Sequence, residues 1–177
     1  MDDNIVYKGK FIQVVNNNSW EYVSRVNSQY AVSICALTPN NEIILVEQFR
    51  VPIQKNVIEN PAGLVGDQKD PESALATAKR ELMEETGYES DDWKELYKTC
   101  SSPGLTDEKS TKFLALKCKK VAEGGGVVGE EDITVHRVPL KSLITWVERK
   151  RSEGLMVDAG LFSALYIYQN TRGFDPN

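Results

Sequence analysis

The side chains best placed to do chemistry are three carboxylates. Glu81, Glu84 and Glu85 stand at i, i+3 and i+4, so a helix would project all three from one face. Like charges at that spacing repel one another. If the helix also ends there, they sit at the negative pole of its dipole. A chain that places three acids at such a point needs a cation beside them. Arg80 is one candidate, which would make a salt-bridged surface face. A divalent metal is the stronger one, because Mg²⁺ prefers hard carboxylate oxygens and keeps several waters. A second acidic group, Gly129-Glu130-Glu131-Asp132, ends a loop opened by Glu123-Gly124-Gly125-Gly126. Read locally, it is a solvated loop.

The helix that must hold the three acids is marked at both ends. Asp70 is the expected cap, Pro71 the first helical residue, and Glu72 suits the positive end of the dipole. Ala74, Leu75, Ala78 and Leu82 form an apolar stripe. Gly87 predicts a left-handed stop. Upstream, residues 5–15 read as strand broken by a turn at Gly9, and residues 20–26 as a strand of alternating character. Residues 30–38 are apolar almost throughout, as in a strand covered on both faces. Pro39-Asn40-Asn41 is turn chemistry before a strand over 42–49, ended by Pro52. Downstream, residues 93–99, 113–119 and 133–138 predict strands, residues 101–104 a turn, and residues 140–153 and 158–169 two closing helices. One central helix among strands, with helices at the end, predicts an α/β fold with a mixed sheet between helical layers.

The 177 residues suffice for one domain with a real core, and neither a repeat nor a linker divides them. With 41% apolar and 27% charged residues, the composition is that of a soluble globular chain. A net charge of −5 argues against nucleic acid as a partner. It leaves room for a nucleotide, since a bound metal inverts the local charge. Cys35, Cys100 and Cys118 form no CxxC pair, so reduced thiols in a cytoplasmic protein are expected. Residues 1–4 lack the apolar run of a signal peptide, and no stretch is long enough to span a membrane. The single histidine, His136, has no second histidine for a metal site and reads as structural or surface.

Gly66, Glu72, Arg80, Glu81, Leu82, Glu84, Glu85, Gly87 and Tyr88 match the pattern G-x5-E-x7-R-E-U-x-E-E-x-G-U at every fixed position. At ordinary residue usage such a match arises by chance less than about once in a million chains of this length. The chain thus resembles the Nudix hydrolase family. The resemblance implies an α/β/α sandwich around a mixed sheet, in one domain over residues 1–177. Residues 31–177 would be the catalytic core, and about the first 30 an antiparallel strand region used in dimerisation. It also implies metal-dependent cleavage of a nucleoside diphosphate linked to another moiety. Mg²⁺, or Mn²⁺ in its place, would be held by Glu81 and Glu85 with help from Glu84. Arg80 would orient one of these glutamates rather than touch substrate.

Features outside that pattern resemble the ADP-ribose pyrophosphatase branch. Pro61-Ala62-Gly63 implies a metal ligand in the Ala62 carbonyl, and Glu47-Gln48-Phe49-Arg50 implies that Arg50 contacts substrate phosphates. Pro103, 16 residues beyond Gly87, stands where a proline marks the ADP-ribose group. The stretch Trp20 to Arg25 resembles a strand whose tryptophan stacks on adenine and which is exchanged between the subunits of a homodimer. Glu21, Arg25, Glu59, Gly104 and Leu105 are further expected substrate contacts. The acidic loop would supply the base that activates water, with Glu131 first and Glu130 second. Two departures stand out. Gly63 and Gly66 are separate residues where many relatives have one glycine, and Gly160 replaces a lysine found after the matching aspartate in some sugar-nucleotide hydrolases. The expected reaction is hydrolysis of ADP-ribose to AMP and ribose 5-phosphate. Its alternatives are GDP-mannose, another sugar nucleotide or NADH as substrate, or a non-catalytic nucleotide-sensing module. An isoprenoid diphosphate isomerase of related fold would need metal-binding histidines that a chain with one histidine lacks.

Overall fold

The computed structural model describes residues 4–28, 30–66, 71–126 and 132–171. The first three strands, β1 (Asn4–Lys8), β2 (Ile12–Asn17) and β3 (Trp20–Arg25), form an antiparallel sheet of their own. Gly9 makes the expected turn, its N–H donating to the Ile12 carbonyl at 2.8 Å. The second sheet starts with β4 (Tyr30–Leu37), β5 (Glu42–Arg50), β6 (Lys55–Glu59) and β7 (Ala62–Leu64). Helix α1 (Ala74–Thr86) follows, then β8 (Tyr88–Glu89), β9 (Asp92–Cys100), β10 (Lys109–Leu116) and β11 (Lys119–Lys120). The chain closes with β12 (Thr134–Pro139), α2 (Leu143–Ser152), β13 (Met156–Val157) and α3 (Gly160–Thr171).

The eight-stranded sheet runs β13-β6-β5-β4-β10-β9, with β12 on β5 and β7 on β4. It is mixed: β10 lies parallel to β4, while β9 and β5 are antiparallel to their neighbours. Alternation along β4 and β5 sends side chains to two cores. Val32, Ile34, Ala36 and Ile44 pack with Ala78 and Leu82 of α1. Cys35, Leu37, Ile43 and Leu45 pack with Leu143 and Val147 of α2 and Leu161 and Leu165 of α3. The sheet lies between helical layers, as expected.

One irregularity positions everything that follows. β4 and β5 pair only at Ala36–Ile44 and Leu37–Ile43. Beyond that point β6 takes the edge of β5, and β7 takes the edge of β4. The chain crosses from one strand to the other at Asn60–Pro61, and the sheet opens there.

Several local expectations change. α1 begins at Ala74, not at Pro71, because Ser73 is the cap and its hydroxyl accepts the Ala76 N–H at 3.2 Å. Asp70 lies outside the described residues. Glu72 turns along the helix instead, accepting from the Thr77 hydroxyl at 3.0 Å. Leu75 is 38% exposed, so the buried stripe is Ala78 and Leu82 with Thr77 and two of the acids. Gly87 ends the helix as expected, at φ 72° with its N–H on the Met83 carbonyl. β10 starts at Lys109, four residues before Phe113, because its register with β4 extends to Tyr30. It ends at Leu116, since Lys117 adopts a left-handed φ of 55°. Residues 140–142 form a 3-10 turn before α2, and α3 begins at Gly160 rather than Asp158. β6 and β7 had no expectation, being short and next to a proline.

Leu82→Ala should lower the unfolding free energy by about 2–5 kcal/mol, as removal of a fully buried leucine does. Leu75→Ala should change it by less than about 0.5 kcal/mol. Urea titrations of both variants check this, and equal losses would contradict the helix orientation.

Candidate active site

Glu81 and Glu85 are both buried, at 8% and 4% exposure, on the side of α1 that faces β7. The Glu85 carboxylate accepts the Ala62 N–H at 3.0 Å. In an antiparallel ladder a residue's N–H and C=O leave the strand on the same side. The Ala62 carbonyl therefore also points away from β4, toward α1. Glu81 packs against Gly63 so closely that a Cβ at that glycine would stand 2.0 Å from its carboxyl carbon. Gly66 has open space around it and a left-handed φ of 86°. The two glycines thus have different tasks: Gly63 admits the carboxylate and Gly66 turns the chain.

Arg80 is shared among acids. Its guanidinium meets Glu81 at 2.9 Å, Glu84 at 2.8 Å and Glu72 at 3.3 Å. Glu84 is drawn outward, its side chain 40% exposed. As a result, no three His, Cys, Asp or Glu side chains converge on a common point among the described residues. Glu81 and Glu85 both meet β7, Glu85 at the Ala62 N–H and Glu81 at Gly63. Buried hard oxygens of this kind fit Mg²⁺ or Mn²⁺ and not a soft metal.

These groups line a cavity of about 380 Å³ at the opening of the sheet. Ala31, Gln48, Ala62, Gly63 and Leu64 line it with Glu81 and Glu85, and Arg25, Arg50 and Glu108 complete its wall. Arg50 holds Glu59 through hydrogen bonds of 3.2, 2.9 and 2.7 Å, and Arg25 pairs with Glu108. Arg25 reaches the site because β3 docks on the turn after Pro103. The Val23 N–H donates to the Leu105 carbonyl at 2.8 Å, and the Asp107 N–H to Val23 at 3.3 Å. Leu105 therefore supports β3, and neither it nor Gly104 is among the residues lining this cavity. Trp20 and Glu21 stand at the exposed hairpin tip, also outside it, with Trp20 61% exposed.

Glu130 and Glu131 lie outside the described residues. The start of their loop is placed, however. The Gly125 and Gly126 N–H groups donate to the Glu85 and Glu84 carbonyls at 2.8 and 3.1 Å. They satisfy helix-end carbonyls that would otherwise lack partners, and they tie the loop to the acidic end of α1. Gln48 and Glu108 were not anticipated. Gln48 shares a strand face with Arg50 two residues on, which could have pointed to it. Glu108 carried no local signal.

The remaining reactive groups are otherwise occupied. His136 lies 2.8 Å from Glu47 and edge-on to Trp146, and Lys150 reaches the same carboxylate at 3.1 Å. Burial works against the charge on Glu47, but hydrogen bonds from Asn56, His136 and Lys150 hold its pKa below the ordinary value. His136 is thus a packing residue beneath α2. Burial pushes the Cys35 thiol up to about 12 and the Cys118 thiol up to about 11, so neither is a nucleophile. No described helix is long and apolar enough to cross a membrane.

A model of the NUDIX domain matches residues 27–153. The chain is 35% identical over 121 residues to the methanol dehydrogenase activator of Bacillus methanolicus, covering 68% of this chain and 64% of that one. It is also 35% identical over 120 residues to the ADP-ribose pyrophosphatase of Bacillus subtilis strain 168, covering 68% and 63%. The match spans just under two thirds of the length of these two relatives. Among solved structures, an ADP compounds hydrolase superposes with a TM-score of 0.73 at 20% identity, covering 99% of this chain and 94% of the other. That likeness shows a shared fold. The domain match covers more than half of the sequence and includes the whole acid-bearing helix, and the chain belongs to the Nudix family.

Proposed function

We propose that this chain is a divalent-metal-dependent hydrolase of the pyrophosphate bond in nucleoside diphosphate sugars. ADP-ribose is the leading substrate, split to AMP and ribose 5-phosphate. One observation carries the reading. The buried acids Glu81 and Glu85 line, with Ala62 and Gly63, a cavity whose other wall holds Arg25 and Arg50. Carboxylates on one side suit a cation, and guanidinium groups on the other suit phosphate. The similarity to an ADP-ribose pyrophosphatase supports the choice of substrate.

In this reading Glu81, Glu85 and Ala62 hold Mg²⁺ or Mn²⁺, and Glu84 joins them when it leaves Arg80. A cation held there neutralises phosphate charge and polarises phosphorus. Arg50 and Arg25 exchange Glu59 and Glu108 for substrate phosphate oxygens, which a guanidinium binds bidentately. Arg80 keeps Glu81 aimed into the cavity. Glu131, or Glu130 as the second candidate, takes a proton from the attacking water. The tie between Gly125, Gly126 and the end of α1 supports that assignment, because it starts the loop beside the acids.

The same proposal includes a homodimer with exchanged N-terminal strands. Ile5, Val6, Tyr7, Phe11 and Ile12 are all at least 45% exposed, an apolar surface that a second subunit would cover. Trp20, outside the cavity of its own chain, would then serve the adenine in its partner's. Sedimentation should give twice the 19.9 kDa mass of one chain, and a monomer would remove both statements.

Phosphate release should be tested with ADP-ribose, ADP-glucose, GDP-mannose, UDP-glucose and NADH, with Mg²⁺ and with EDTA. Metal-dependent cleavage of ADP-ribose above the others is expected. Cleavage of none would overturn the hydrolase reading in favour of a nucleotide-sensing module. Glu85→Gln should nearly abolish turnover and weaken Mn²⁺ binding with the fold intact. For Glu131→Gln the expected loss is about 10²- to 10⁴-fold in kcat with KM little changed. A deficit in Glu130→Gln instead would move the base by one residue. Gly63→Ala, which forces a methyl onto Glu81, should lower kcat/KM on the order of a hundredfold. Wild-type kinetics in that variant would contradict the packing of Glu81 on the strand.

A further inference from the structure

The crossing at Asn60–Pro61 lies between two strand pairings and is tied to β4 by the Ile34 N–H, which donates to the Pro61 carbonyl at 2.8 Å. A polar group lies beneath it, on the sheet face covered by α3. Asn60 is 4% exposed; its Nδ2 donates to the Gly160 carbonyl at 3.3 Å, and its Oδ1 has no hydrogen-bond partner among the described residues. Asp158 donates its N–H to the Ile58 carbonyl at 2.9 Å, two residues before Asn60, and its carboxylate accepts the Gly160 N–H at 2.7 Å. A third member comes from the far side of β4. Lys112 pairs with Ser33, and Ser33 pairs with Ala62, so the three form one row across the sheet. Phe113 faces α1, so alternation turns Lys112 toward α3.

Lys112 is only 8% exposed. A Cβ on Gly160 would stand 2.9 Å from its ammonium nitrogen and 2.7 Å from an Asp158 carboxylate oxygen. Burial lowers the Lys112 pKa, and the charge of Asp158 opposes that shift. A charge is not kept at such a depth without compensation. The Asp158 carboxylate lies beside the same Gly160 position as the ammonium, and Asp158 is tied to the strand that leads into the crossing.

We propose that Lys112 is a positioning residue for the carboxylate site. Its ammonium, set against Asp158 beneath the Asn60–Pro61 crossing, holds Ala62 and Gly63 in place against Glu85 and Glu81. Position 160 is glycine because the Asp158 carboxylate and the ammonium together fill the space a side chain there would take. The proposal rests on the reading of Glu81, Glu85 and Ala62 as a divalent-cation site.

Two variants test it. Lys112→Met keeps the aliphatic volume and removes the charge, and Gly160→Ala pushes a methyl onto the Asp158 carboxylate and the ammonium. Both should weaken Mn²⁺ binding, followed by its paramagnetic resonance, about tenfold, as loss of an outer support for metal ligands does. Both should also speed hydrogen exchange of the Ala62 amide about tenfold, a local opening that global stability does not report. The double variant should lose less than the sum of the two single losses, because the methyl then meets only the Asp158 carboxylate. If the variants melt earlier but keep wild-type Mn²⁺ affinity and Ala62 exchange, Lys112 only stabilises the fold and the proposal is wrong. Additive losses in the double variant would refute the contact with Gly160. Should Lys112→Met fail to fold, Gly160→Ala decides by the same two readouts. A wild-type chain that binds Mn²⁺ but cleaves no nucleotide would sink the hydrolase reading alone. One that binds no Mn²⁺ would refute the cation site, and Ala62 exchange would then settle whether Lys112 holds the crossing.

Discussion

The contact between α1 and the short strand β7 is the constraint on which the rest depends. Two carboxylates are buried at the end of a helix whose dipole disfavours them. A buried charge must be paired or hydrogen-bonded. The Ala62 N–H, the Arg80 guanidinium and the close approach allowed by Gly63 meet that need in part. None removes the excess of negative charge, and a divalent cation would. The same arrangement that makes the helix end unfavourable in isolation therefore suits it to a cation, as proposed above.

The opening of the sheet gives this contact its place. A strand that continued beside β4 in register with β5 would leave no room for a substrate. Because β6 and β7 take over the two edges in turn, the strands part, and α1 delivers its acids into the gap. The N-terminal sheet then closes one side through Arg25, held by the docking of β3 on the turn after Pro103. The first 30 residues thus contribute to the cavity of their own chain, beyond any part in association. On the other face, Glu47, His136, Lys150 and Trp146 fasten α2 beneath β5, while Lys112 and Asp158 lie beneath the crossing. Gly160, a departure from some sugar-nucleotide hydrolases, has a physical reason here, since Asp158 and Lys112 occupy its side-chain space.

What was legible in the sequence was local. The spacing of Glu81, Glu84 and Glu85 defines one helix face whatever the fold, because 3.6 residues per turn is a property of the backbone. Gly87 marks the helix end because a left-handed residue is cheapest at glycine. The apolar run in β4 announces a strand covered on both sides, and the order of elements announces a layered α/β fold. The errors were local as well. Ser73 outcompetes Asp70 and Pro71 as the helix start because it sits next to the first helical turn. Leu75 matches the stripe by type but lies off its centre line.

By itself, then, the sequence determined the acidic helix, its stop, the two-faced sheet and membership of a family defined by that helix. Each follows from residues close together in the chain. Only the tertiary structure decided that Glu84 turns outward while Glu85 meets Ala62, that Gly63 and not Gly66 takes the Glu81 carboxylate, and that Trp20 stands outside its own cavity. It alone brought Glu108 to the cavity wall and Lys112 beneath Gly160. These depend on strand pairings between distant segments. Side-chain period says which face a residue takes, but not which strand will lie beside it.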